Sequence, residues 1–84
     1  MGIASVEQKV RLTLDKVLNV ATGDFPKKEE LFAWGLDSIK VVELIVELEE
    51  TFGIIFYDDE LLFENFSTIQ LIVDRIQGKL VAPS

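Results

Sequence analysis

A chain of 84 residues with a formal charge of −7 and neither cysteine nor histidine reads as one small domain. It has no disulfides, no thiolate or imidazole metal ligands, and no means of Ser-His or Cys-His catalysis. What chemistry it has must come from hydroxyls, carboxylates and lysines, and a domain of this size forms no deep cleft between lobes. No apolar stretch is long enough to span a bilayer and no leader pattern opens the chain. Met1-Gly2 starts like a myristoylation signal, but Val6 stands where that signal needs Ser or Thr. A cytoplasmic location is the expectation.

The first helix is predicted from Ser5, a cap with Gln8 three residues on, to Leu18, with Val6, Val10, Leu14 and Val17 on one stripe. The turn cluster Ala21-Thr22-Gly23-Asp24 follows. Residues 20 to 37 contain Pro26, the run Lys27-Lys28-Glu29-Glu30 and scattered apolar residues. They read as a long loop pinned to the core by side chains, with a short helical turn near Lys28 to Phe32. Loops of this length in a compact domain are often functional.

The second helix is predicted over Ser38 to Phe52, closed by Gly53 at C′. Val41, Leu44, Ile45, Leu48 and Phe52 form its core face. Ile39, Val42 and Val46 form a second strip adjoining Ser38, which one core does not require. Either the segment 54–66 covers this strip or it is a partner-binding stripe; partial cover is expected for Val42 and Val46, and exposure for Ile39.

Ile54-Ile55-Phe56-Tyr57 is rich in β-formers, but the chain offers no partner strand, so it reads as a buried extended connection. A short third helix is expected from Asp58 or Asp59 to Glu64, with acids in its first turn. The last helix is expected to start on Ser67 as cap, to turn Ile69, Ile72, Val73 and Ile76 inward and to end at Gly78. The predicted fold is therefore all-α, a small four-helix bundle of three longer helices and one short one, with a long loop between helices 1 and 2. A single domain is expected over residues 1–84, with its core at about 5–78 and a frayed tail at 79–84.

Charge is concentrated near Ser38. Nine of the fifteen acids lie between residues 37 and 64, with Lys40 as the sole base there. Such a surface repels nucleic acid and anionic membrane and attracts basic partner patches. Ser38 itself sits where a helix N-terminus calls for a short polar residue, and on position alone it could be only a cap.

Gly35-Leu36-Asp37-Ser38-Ile39, with Val42-Glu43-Leu44 and the helix end Leu48-Glu49-Glu50-Thr51-Phe52-Gly53, resembles the acyl and peptidyl carrier protein family over essentially the whole chain. The resemblance implies a non-catalytic carrier. Ser38 would bear a covalent 4′-phosphopantetheine arm added from coenzyme A by a magnesium-dependent holo-synthase, whose thiol holds an acyl or aminoacyl thioester. It implies that Asp37 assists the modification, helping the transferase bind its magnesium and orienting Ser38. It also implies that Ile39, Val42, Glu43, Val46, Glu49 and Glu50 dock loading and unloading enzymes carrying basic patches. A monomer with no resident metal is expected, and Trp34, just before the glycine, is expected to pack in the core.

Two departures qualify the resemblance. Lys40 stands where fatty-acid carriers have an acid, and Leu62-Phe63-Glu64-Asn65 with Ser67-Thr68-Ile69 is closer to peptidyl carriers. The mixture suggests a discrete, specialised carrier for secondary metabolism, lipid modification or aminoacyl transfer. Two readings compete with it: an interaction module that docks a basic partner without a prosthetic group, and a small hydrolase using Asp37 and Glu43.

Overall fold

The computed structural model describes residues 5–81, with side chains given for all of these except Phe63 and Val81. Three α-helices carry the fold: α1, Val6–Leu18; α2, Ser38–Phe52; and α3, Ile69–Val81. No strand occurs among the described residues. Where a fourth, short α-helix was expected, two separate 3₁₀ turns stand at Asp58–Glu60 and Phe63–Phe66. Leu61 divides them, because its backbone leaves the helical region at φ −84°, ψ 46°.

Local chemistry accounts for the helix ends. Ser5 Oγ accepts the Gln8 N–H at 3.0 Å and starts α1, which Asn19 closes in the left-handed conformation at φ 58°. At the other end of the chain, Ser67 is not the cap of α3. Its hydroxyl donates to the Glu64 carbonyl, and Thr68 Oγ1 accepts the Leu71 N–H instead. Nor does α3 stop at Gly78; it runs on through Lys79 and Leu80 to Val81. Residues 82–84 of the expected tail lie outside the described residues. Gly78 has no atom within 4 Å of where a Cβ would stand and no positive φ. Gly78→Ala should therefore raise stability by about 0.5–1 kcal/mol, read from the urea midpoint at unchanged slope.

The helices α1 and α2 run antiparallel. Lys16 Nζ meets Glu47 Oε1 at 3.0 Å near one end, and the Lys9 ammonium lies over the Phe52 ring near the other. Most of the expected inward stripes reach the core, while Val6, Ile45 and Phe52 are only partly buried against it. Val10, Leu14 and Val17 from α1, Val41, Leu44 and Leu48 from α2, and Ile69, Ile72, Val73 and Ile76 from α3 are buried. Phe25, Leu31, Leu36, Phe56 and Phe66 enter from the connections.

The long loop is tied down by polar side chains as well as apolar ones. The Arg11 guanidinium donates to the carbonyls of Thr22 and Phe25, while the Thr22 N–H donates to Asp15 Oδ1 at 2.7 Å. Further on, the Lys27 carbonyl accepts the Gln70 N–H at 3.0 Å, satisfying one of the open donors in the first turn of α3. The expected turn in this loop lies at Leu31–Trp34, three residues later than its predicted start. Trp34 is not in the core. Leu31 and Phe25 already fill the inner side, so the indole rests edge-on against Phe25, with ring centroids 4.7 Å apart, and stays 49% exposed.

One carboxylate fastens the segment between α2 and α3. Glu60 Oε1 accepts from Lys79 Nζ and from the Tyr57 N–H, and Arg75 Nη1 stands 3.7 Å from Oε2. Partial burial pushes the Glu60 carboxyl up, but the Lys79 and Tyr57 hydrogen bonds and the two cations outweigh it and hold it below its ordinary value. A carboxyl depressed in the folded state adds stability that is complete above its unfolded value, about 4.3, and fades as pH falls through the lower folded one. Glu60→Gln should accordingly flatten this acid-side loss relative to wild type in urea titrations at successive pH values.

Candidate functional site

The candidate site is the N-terminus of α2 and the helix face that continues from it. Gly35 turns the chain at φ 107°, a conformation that disfavours any side chain. Leu36 then drops into the core at 3% exposure, and Val41 re-enters it one turn later. Between these two anchors, Asp37, Ser38 and Ile39 point outward.

Asp37, not Ser38, caps the helix. Its backbone is extended, its Oδ1 accepts the Lys40 N–H at 2.9 Å, and its carbonyl accepts the Val41 N–H at 2.8 Å. Ser38 is the first helical residue. Its exposed hydroxyl takes part in no hydrogen bond among the described residues. The Ser38 and Ile39 N–H groups belong to the open donors of the helix start, where the dipole also favours an anion. Asp37→Ala should thus cost about 0.5–2 kcal/mol in urea denaturation, while Asp37→Asn, which keeps the acceptor, should cost much less.

Beyond Ser38 the helix face is apolar and open. Ile39 is 71% exposed, Val42 60% and Val46 48%. The two valines are thus partly covered, less so at Val42 than at Val46, and the 54–66 segment reaches this face through Leu61. Ser38, Val41, Val42, Ile45, Val46 and Leu61 line an open groove of about 340 Å³. On the other side of the Val42–Val46 ridge, a second depression is bordered by Lys16, Val17, Glu43 and Glu47.

The acids of the face are not equivalent. Glu43 and Glu50 are exposed, whereas Glu49 is half-buried and its Oε2 accepts the Phe56 N–H at 2.9 Å. Glu47 pairs with Lys16. The Glu49 contact ties the end of α2 to the next connection, a tertiary link that no helical projection reveals.

A family model described as "Phosphopantetheine attachment site" matches residues 8–76. The chain belongs to the phosphopantetheine-attachment family. Proteins of this family carry a covalently attached 4′-phosphopantetheine, and the family is in general non-catalytic, working with a phosphopantetheinyl transferase and with biosynthetic enzymes. The α2 N-terminus fits such a group. It has an unpaired hydroxyl chemically able to bear one, open N–H groups that suit a phosphodiester, and an apolar groove beginning beside the hydroxyl. When attached, the group supplies a flexible arm ending in a thiol. Among the described residues, no helix is long and apolar enough to cross a membrane.

Proposed function

We propose that this chain is a monomeric, cytoplasmic carrier that holds an acyl or aminoacyl group as a thioester on an arm attached to Ser38. The observation that carries this reading is the exposed and unpaired Ser38 hydroxyl, held outward between the buried Leu36 and Val41 at the start of a 15-residue helix. In the loading reaction Ser38 Oγ attacks the pyrophosphate phosphorus nearer the pantetheine. The new P–O bond replaces the bridging P–O bond of the pyrophosphate, the hydroxyl proton passes to a base of the transferase or to water, and the nucleotide portion of coenzyme A leaves with the second phosphate. The Asp37 Oδ1 that caps α2 fixes the hydroxyl's place in the helix, and the second carboxylate oxygen is available to the transferase's magnesium.

Partner enzymes dock on the open face of α2, through Ile39, Val42 and Val46 with Glu43, Glu49 and Glu50 around them. The apolar residues supply buried area, and the acids steer a basic patch towards the arm. Glu43 and Glu50 are free to do so, whereas Glu49 has one carboxylate oxygen committed to Phe56. Lys40 makes this surface less acidic than in fatty-acid carriers, which favours a specialised pathway such as aminoacyl transfer or secondary metabolism.

The test is incubation with coenzyme A, magnesium and a broad-specificity phosphopantetheinyl transferase, followed by intact-mass and peptide mass spectrometry. The expected result is one added arm, on the peptide containing Ser38. An unchanged mass under conditions that load a control carrier overturns the reading.

A further inference from the structure

Consecutive residues of the connection between α2 and α3 face two different grooves. Leu61 lines the groove beside Ser38, and Glu60 lines a larger one of about 780 Å³ on the far side, together with Tyr57, Asp74, Arg75 and Lys79. The connection is therefore a partition between the two. It has little rigidity of its own, being built from two 3₁₀ turns separated by the non-helical Leu61.

Its fastening close to Leu61 is on the Glu60 side. Lys79 and Glu60 side chains are each only 15% exposed, and the Lys79 ammonium sits 5.2 Å from the Phe56 ring centroid and 5.0 Å from that of Tyr57. The same carboxylate accepts the Tyr57 N–H, and the Glu60 carbonyl accepts Asn65 Nδ2 at 2.9 Å. Both 3₁₀ turns are thus tied at one residue to α3. Leu61, next in the chain, is 42% exposed.

We propose that the Glu60–Lys79 pair is a positioning clasp that holds Leu61 as the movable wall of the apolar groove beside Ser38. The clasp determines how wide an alkyl group that groove admits, so Lys79, on α3, acts on the site through Leu61. Its functional meaning rests on the carrier reading of Ser38, but the geometry does not, and the experiment needs no arm on Ser38.

The full chain, with ¹³C-labelled leucine and valine methyls, is titrated with hexan-1-ol as an alkyl probe. In wild type the probe should shift the methyls of Leu61, Val42 and Val46 and give cross-relaxation to all three. Lys79→Met should lose the Leu61 contact while keeping those to the valines, and weaken binding about fourfold, the effect of losing contact with about one methylene. Lys79→Arg, which keeps the cation, should behave as wild type. In a Leu61→Ala background Lys79→Met should add nothing further. Glu60→Gln, which keeps an acceptor for Tyr57, serves if Lys79→Met does not fold. Absence of probe shifts in wild type, a full Leu61 contact in the unclasped variants, or additive effects of Lys79→Met and Leu61→Ala each overturn the proposal. Arm attachment is read separately, by mass spectrometry after transferase treatment of the wild-type chain, so failure of arm attachment and failure of the clasp are told apart.

Discussion

Ser38→Ala is expected to abolish arm attachment completely while leaving the fold as stable as before. Loss of attachment follows from the proposed carrier role, in which the hydroxyl oxygen is the nucleophile, and no neighbouring residue of α2 places another hydroxyl at its position. The neutrality in stability follows from Asp37, which carries the cap bond to Lys40 and leaves Ser38 as an ordinary first-turn residue. Alanine is the better helix former, so the change should stay within about 0.5 kcal/mol, or a few degrees in Tm for a domain of this size. Mass spectrometry after transferase treatment and a thermal melt together check both halves. A variant that still gains the arm would move the attachment point elsewhere, and a variant that loses it by unfolding would show in the melt.

Phe66→Ala should be the most damaging substitution for the fold. The ring is fully buried and packs edge-to-face on Phe56, with centroids 5.3 Å apart. It joins the end of the irregular connection to the core, in front of the cap of α3. Emptying the site should cost about 3–5 kcal/mol. A domain of this length has a total stability of roughly 4–13 kcal/mol at typical per-residue values. Urea denaturation should therefore show a midpoint shifted far towards zero, and Tm should fall by about 12 °C or more. A loss under about 1 kcal/mol would mean that the connection does not depend on this anchor. Because Phe66 and Glu60 fasten the same segment by different means, the ring should dominate stability and the clasp should dominate where Leu61 stands.

Much of this architecture is legible in the sequence where one signal is unopposed. The bounds of α2 follow from a short polar pair before an apolar period and from a glycine after it, and α1 begins on Ser5 as its spacing predicts. Legibility fails where two residues offer the same chemistry or where packing overrides propensity. Ser67 and Thr68 are both competent caps, and only the position of the Glu64 carbonyl decides which hydroxyl faces the helix. Asp37 and Ser38 pose the same choice at the site itself. Gly78 looks like a stop, yet its cost of about 1 kcal/mol in a helix interior is borne by a helix already held through Ile76. Acids in a first turn predict a short helix after Tyr57, but Leu61 and Leu62 interrupt it. The Glu60–Lys79 contact spans 19 residues and has no periodic trace. Glu49's bond to Phe56 is hidden for the same reason: its spacing is ordinary for a surface acid.

The exposed edge of Trp34 gives the chain a built-in optical probe. It is the only tryptophan among the 84 residues, and it sits in the loop that feeds Gly35 and α2 rather than in the core. Its emission therefore reports the state of that loop, where a partner or an arm would arrive, and is a poor gauge of whether the bundle has melted. Fluorescence and circular dichroism, followed on the same sample, would watch two different parts of the molecule.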